Sequence, residues 1–362
     1  MSFLSRTVVI PKYGFPVDVV GLDTHHMNSA SEGDTVNLER DLSLAIAEFA
    51  PTSKLVANKL EWQSYALKKV AEKEWSRWFY ARCARHHRFE RWKHGQNPNF
   101  AKCCNHMVTR QYVVPQFGFQ TRRERPNKPL RKTERIFSTR PYFVGFKNEK
   151  RQTIKYGSIE LTKTSPGEMV VLCEGYKGQG FYLCSRCGTG FRELSKSEIE
   201  NGHEDFLGNK CNYRPERFLS LGHDFVTDVL KMTFYRPYSG KIEPQWFALT
   251  LAYAILEGAS SVIDIPAHEL DVTVHAYDLH GMAPSIILYD NVPGGAGLVT
   301  RIEGKEILFA CLRTALDRVD GRCGCAPDTA CYGCLRSYKN QFAHPYLQRA
   351  AAYSYLYELV NE

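Results

Sequence analysis

No apolar run in the chain approaches the roughly 20 consecutive residues that a membrane-spanning helix needs, so such a helix is not expected. The opening residues, MSFLSRTVVIPKYG, lack both the apolar core and the small-residue cleavage site of a secretory signal, and the expected compartment is the cytoplasm. The phosphate-cradling G-x-x-x-x-G-K-[ST] loop is missing, and no acidic box follows a strand, so ATP hydrolysis by this chain alone is not expected. Neither H-E-x-x-H nor G-x-S-x-G occurs, which removes the common zinc-protease and serine-hydrolase chemistries. There is no internal repeat and no low-complexity segment.

What the chain does have is cysteine: 12 residues among 362. In a reducing compartment, closely spaced cysteines read as metal ligands before disulfides. Cys173 and Cys311 sit in apolar runs (MVVLCEG and ILFACLRTAL) and read instead as buried core residues. Charge is uneven. Residues 1–150 carry 26 Lys/Arg against 14 Asp/Glu, whereas the remainder carries 21 against 25, so the net +8 comes entirely from the first part. The excess is densest from Arg77 to Arg135, with 15 cations and 3 anions, interleaved with Trp78, Phe79, Tyr80, Phe89, Trp92, Tyr112, Phe117 and Phe119. Cations that neutralise phosphates and rings that stack bases are the general physics of strand binding. The arginines expected to carry it are Arg82, Arg85, Arg88, Arg91, Arg122, Arg123, Arg125 and Arg131, with Lys132. A solvated basic surface, or a face for an acidic partner, is the plainer reading.

Patterning predicts an α+β protein of irregular zinc-stapled units, with short antiparallel strands and a helical C-terminal zinc-binding domain. Leu38, Leu42, Ala45, Ile46 and Phe49 fall at helical spacing before Pro51. Short alternating runs suggest antiparallel strands over 141–184, and EPQWFALTLAYAILEGA reads as a buried helix. DVTVHAYD and SIILYD read as strands; EILFACLRTALDRV and HPYLQRAAAYSYLYELV read as helices. The expected division is a basic region over 1–140, a small β-rich knuckle region over 141–220, and a four-cysteine domain over 221–362.

Three sets of residues have metal-ligand spacing. Cys323, Cys325, Cys331 and Cys334 place four thiolates within twelve residues, enough to close a tetrahedron with no position left for water. That argues for a structural zinc, with an iron–sulfur cluster as the alternative that thiolates also permit. Cys184 and Cys187 form a C-x-x-C half-site that His203 and Cys211 can complete. Cys83 and His86, with Cys103 and His106, form a third pairing in which His87 and Cys104 can replace their neighbours. Zinc in one and up to three sites is therefore the expected cofactor. The Gly-rich turn Asp290–Gly297 reads as a tight packing turn, or as a loop presenting N–H groups to an anion.

Taken together, Tyr289–Leu298, the Cys323–Cys334 cluster, Leu335–Gln341 and His344 resemble the MrfA-type zinc-binding domain that ends a family of DEAD/DEAH-box helicases. Pro11–Asp18, Arg40–Pro51 and Leu221–Asp228 fit the region after the motor in that family. The resemblance implies that the four cysteines hold one zinc and that the chain serves in DNA repair or phage defence. The zinc-binding subunit of the DISARM defence system is similar and works beside a separate helicase. This chain lacks both RecA-like motor domains, so the expected role is a non-catalytic accessory or scaffold that binds DNA and docks a helicase motor. Two alternatives stand beside it: a metal-dependent nuclease using His223, Asp224, Asp228 and Asp290, and a pure protein-interaction scaffold.

Overall fold

The computed structural model describes residues 18–24, 36–93, 95–96, 102–124, 126–129, 136–148, 151–195, 198, 201–266, 268–275 and 285–362. The N-terminal part builds a five-stranded sheet from β1 (Val19–Asp23), β2 (Glu39–Asp41), β3 (Lys54–Ala57), β4 (Leu60–Leu67) and β8 (Phe119–Thr121), in the order β2-β1-β8-β4-β3. Between β2 and β3 runs α1 (Leu42–Glu48), capped by the Asp41 carboxylate, which accepts from the Ser43 N–H at 2.8 Å. The helical spacing read from Leu38 to Phe49 is thus shorter in fact: Leu38 lies outside it and is buried beside it.

The basic segment forms strands. β5 (Ser76–Cys83), β6 (Arg88–Trp92) and β7 (Val108–Val114) are antiparallel neighbours, and their aromatics alternate with period two. Tyr80, Phe89 and Tyr112 consequently pack into a small core of their own, with Trp78 and Tyr142 against it. Half of the ring content expected on a binding surface is core.

The spine of the molecule is a pair of long strands. β11 (Ile159–Cys173) and β16 (Glu216–Phe234) run antiparallel from Ile159↔Phe234 to Cys173↔Leu221. β9 (Arg140–Phe146) and β10 (Thr153–Tyr156) flank β11. β7 joins β16 in parallel, and β12 (Phe181–Leu183) with β13 (Gly190–Phe191) pairs its start. β14 (His203–Glu204) and β15 (Lys210–Cys211) form a separate ribbon. After α2 (Pro244–Val262), β17 (Leu270–His275) and β18 (Ser285–Asp290) extend the same sheet from β16, and α3 (Lys305–Arg318) and α4 (Arg349–Val360) follow.

The fold is α+β. Its strands are not all short: β16 has 19 residues and crosses the 220/221 boundary read from composition. The eleven-stranded sheet joins segments 1–140, 141–220 and 221–362 through hydrogen bonds, because β5, β11 and β18 belong to one sheet. Two cores lie on its faces. One packs α1, Trp62, Phe119, Phe225 and Tyr289. The other packs α2, α3 and α4 over Leu230, Val272 and Leu288. α2 is apolar nearly all round because sheet, α3 and α4 all cover it.

Candidate metal centres

The four C-terminal cysteines lie on the loop between α3 and α4. Sγ separations are 3.4 Å for Cys323–Cys325, 3.9 Å for Cys325–Cys334 and 3.8 Å for Cys331–Cys334. Four Zn–S bonds of about 2.3 Å in a tetrahedron imply edges of about 3.8 Å, whereas a disulfide needs about 2.05 Å. The set therefore fits a tetrahedral ion and holds no disulfide. The Cys325 N–H pulls the Cys323 thiol down to about 7, favouring the thiolate that a metal requires. The loop is anchored from both sides. Arg349, at the start of α4, donates to the Cys325 carbonyl from Nε at 3.1 Å and Nη2 at 3.0 Å. Asn340 donates to the Leu335 carbonyl at 2.8 Å, accepts from the Ser337 N–H at 2.8 Å and lies 2.9 Å from His344 Nε2. The strip Leu335–His344 is thus the brace of the metal loop, and Ala330, Cys334 and Leu335 seat it on the helical core.

The second set joins two hairpins. Cys184 and Cys187 flank a turn closed by Gly188 N–H to the Cys184 carbonyl at 2.9 Å, while the pairing His203↔Cys211 brings the other two ligands onto adjacent strands. Cys184 Sγ lies 3.9 Å from Cys211 Sγ, and Cys187 Sγ lies 3.2 Å from His203 Nε2. Leu67 N–H donates to the Gly188 carbonyl at 2.9 Å, fastening this knuckle to β4.

In the third set, Cys83 Sγ is 3.5 Å from His86 Nδ1 and 3.4 Å from Cys104 Sγ, and Cys103 Sγ is 4.0 Å from Cys104 Sγ. Cys104 occupies the place expected for His106, which is outside the group. Adjacent cysteines can turn both thiols to one point when the chain between them bends, as it does at residues 103–106. His87 is not a ligand either. Its φ of +49° sends the ring to the Gln245 carbonyl at 3.2 Å, where burial lowers its pKa to about 4. Within each of the three sets the donor atoms lie within 4.8 Å of one another, and each offers four ligands compatible with Zn2+.

Residues 251–335 match the family model described as MZB, the MrfA Zn-binding domain. The C-terminal part of this chain is thus similar to the MrfA Zn-binding domain. The match spans most of α2, the β17–β18 hairpin, the Gly-rich turn, α3 and all four cysteines of the C-terminal set. The chain is also similar to the crystal structure of the DUF1998 helicase MrfA bound to DNA, with 11% identity and a TM-score of 0.41 over 90% of this chain and 32% of that one. The structure of MrfA bound to DNA and AMPPNP gives 10% identity and a TM-score of 0.31, over 90% and 29%. The chain spans about a third of the length of those structures. No curated protein matches it.

The Gly-rich turn within the matched residues is a packing turn. Asp290, fully buried, accepts from the N–H groups of Ala296 at 2.7 Å, Leu298 at 3.0 Å and Val299 at 3.0 Å, and Asp228 accepts from Gly297 at 3.1 Å. Those amides have their anion already. Gly295, at φ +72°, has room for nothing else, since a Cβ there would lie 2.2 Å from Asp228 Oδ2.

The groups weighed for nuclease chemistry do not converge. His223 Nε2 lies 3.0 Å from Asp18 Oδ2, Asp224 takes the Tyr112 hydroxyl at 2.5 Å and Arg91 at 2.8 Å, and no three of these groups share a point among the described residues.

Several of the expected phosphate-binding arginines have internal work. Arg82 pairs with the buried Glu174, which also accepts from Tyr80 at 3.0 Å. Arg91 bridges Glu168 at 2.9 Å and Asp224 at 2.8 Å. Arg88 pairs with Glu90 at 3.3 Å, and Arg122 with Glu124 and Glu204. Arg85 and Arg123 are exposed. Arg125, Arg131 and Lys132 lie outside the described residues.

Proposed function

We propose that this chain is a non-catalytic, zinc-stapled nucleic-acid-binding unit that works with a helicase motor. The observation that carries this reading is the closure of the metal sets. Each of the three offers four protein ligands and no open position, so the metals staple loops and activate no water. The similarity of residues 251–335 to the MrfA Zn-binding domain supports the link to helicases, and the basic excess in residues 1–150 supports DNA as the partner. A separately encoded motor, a place in DNA repair or phage defence, and residence in the cytoplasm, where the ligand thiols stay reduced, complete the proposal. No helix among the described residues is long and apolar enough to cross a membrane.

The test combines metal analysis of the purified chain with DNA binding at two salt concentrations. Three zincs per chain, salt-sensitive DNA binding and no ATPase activity are the expected result. Reversing the exposed pair, Arg85→Glu with Arg123→Glu, should weaken binding uniformly across sequences and flatten the salt slope by about two. Binding that ignores the reversal places the phosphate contacts elsewhere. Magnesium-dependent cleavage of labelled DNA would overturn the non-catalytic reading.

A further inference from the structure

Phe218 has two properties that folding does not explain. Its φ is +60°, a region that bulky residues rarely occupy, and the residue is 51% exposed. A glycine or asparagine would hold the same backbone with less strain, and a polar residue would suit the same exposure.

The local ladder shows what the strain achieves. β12 pairs β16 as Phe181↔Leu219 and Leu183↔Glu216, so Tyr182 alone faces both Arg217 and Phe218. This is a β-bulge, a device that re-aims a side chain. The bulge is held in place by its neighbour: Gly180, at φ +77°, lies so close that a Cβ on it would come within 2.7 Å of the Phe218 backbone. The ring is thereby turned outward, 6.1 Å from Tyr182.

The bulge borders a groove of about 540 Å³ whose walls include Phe79, Arg110, Gln111, Arg217, Phe218 and Leu219. Its floor, of Leu219, Gln111 and Phe79, belongs to a cross-strand row that runs on beyond the groove to Trp92. Leu219 pairs with Gln111, Gln111 with Phe79 and Phe79 with Trp92, so all four lie on one face of β16, β7, β5 and β6. Phe79 and Trp92 are stacked at 5.9 Å and are only partly buried, unlike Tyr80 and Phe89 on the opposite face. The carboxylate in the groove, Glu216, is held by Arg77 at 2.7 and 3.0 Å, so it leaves no free negative charge to repel an anion. Arg217 is exposed beside the ring.

We propose that this groove is a stacking platform for unpaired nucleic acid. Bases lie on the Phe218 ring and along the Phe79–Trp92 row, and the backbone phosphate is drawn to Arg217. The proposal rests on the nucleic-acid-binding reading above and names the strand form and the place. Unpaired bases are required, because ring faces are available for stacking only outside a duplex. Sequence preference is weak, since every base has a stacking face.

Fluorescence anisotropy with a labelled oligothymidine of about a dozen nucleotides, beside a duplex of the same length, tests it on the full chain. The wild type should prefer the single strand. Phe218→Ala should lower single-strand affinity roughly five- to a hundredfold, and Phe218→Trp should retain it. Phe218→Asn suits the positive φ, so it should hold or raise thermal stability while losing affinity as Phe218→Ala does, which separates the ring from the fold. Wild-type affinity in Phe218→Asn, or a preference for duplex, overturns the platform while leaving the broader reading intact. A wild-type chain that binds neither probe at low salt overturns both.

Discussion

Cys331→Ser is expected to remove one zinc per chain and to unfold the C-terminal unit. The expectation follows from what the metal replaces. The loop from residue 321 to 336 has no regular secondary structure, yet it delivers Ala330, Cys334 and Leu335 to the core that α2, α3 and α4 share. Its own hydrogen bonds are turns: Cys334 N–H to the Cys331 carbonyl at 3.1 Å, and Gly324 N–H to the Gly321 carbonyl at 2.9 Å. Such turns contribute about 1 kcal/mol each, while ordering the loop costs about 1–2 kcal/mol per residue in backbone entropy. A structural zinc supplies on the order of 10–16 kcal/mol in small zinc modules, enough to offset that cost. Losing one of four thiolates should lower the unfolding temperature by on the order of 10 °C or more and leave the C-terminal unit with no further response to chelator, while the other two sets keep theirs. Scanning calorimetry with and without chelator, beside metal analysis, reads both effects. A zinc-depleted variant that melts with the wild type would show that packing alone holds the loop. The corresponding change in the knuckle, Cys184→Ser, should act more locally, since that set closes small hairpins at the rim of the sheet.

The metal ligands were legible because zinc geometry demands short, local spacings that a linear reading detects. Cys323 to Cys334 and Cys184 to Cys187 are of this kind. The third set shows the limit: His106 and Cys104 are two residues apart, and only the bend of the loop decides which points inward. The helices of the C-terminal domain were legible from apolar periodicity. β16 was not. Its polar stretch Gly222-His223-Asp224 breaks the apolar alternation of a strand, but each polar group there meets a partner distant in sequence: Asp18 for His223, and Arg91 with Tyr112 for Asp224. The same cause misplaced the arginines. Arg82 and Arg91 read as phosphate ligands because their carboxylates, Glu174 and Glu168, lie 92 and 77 residues away. Period-two alternation in the basic segment, followed through, would have separated Tyr80 and Phe89 from Phe79 and Trp92.

Asp290→Ala should be the second most damaging change, and it separates a structural carboxylate from a catalytic one. Asp290 ends β18 at full burial and serves as the acceptor for three consecutive-turn amides, of Ala296, Leu298 and Val299. Alanine leaves those donors in a site that water cannot readily reach. A buried donor stranded without its acceptor costs about 1–3 kcal/mol, and breaking a buried charged interaction costs about 3–5 kcal/mol in total. For a chain of this size that corresponds to a drop of on the order of 5–10 °C in unfolding temperature. The damage should spread to α3, because the turn leads directly into it and Val299 and Ile302 pack beneath it. Zinc content should not change, since Asp290 belongs to none of the three ligand sets. Hydrogen exchange across residues 291–304 reads the loosening directly, and metal analysis reads the ligand sets. A variant with wild-type stability that loses a metal-dependent activity on DNA would instead make Asp290 a catalytic ligand. The three N–H bonds on its two oxygens leave it little capacity for that role.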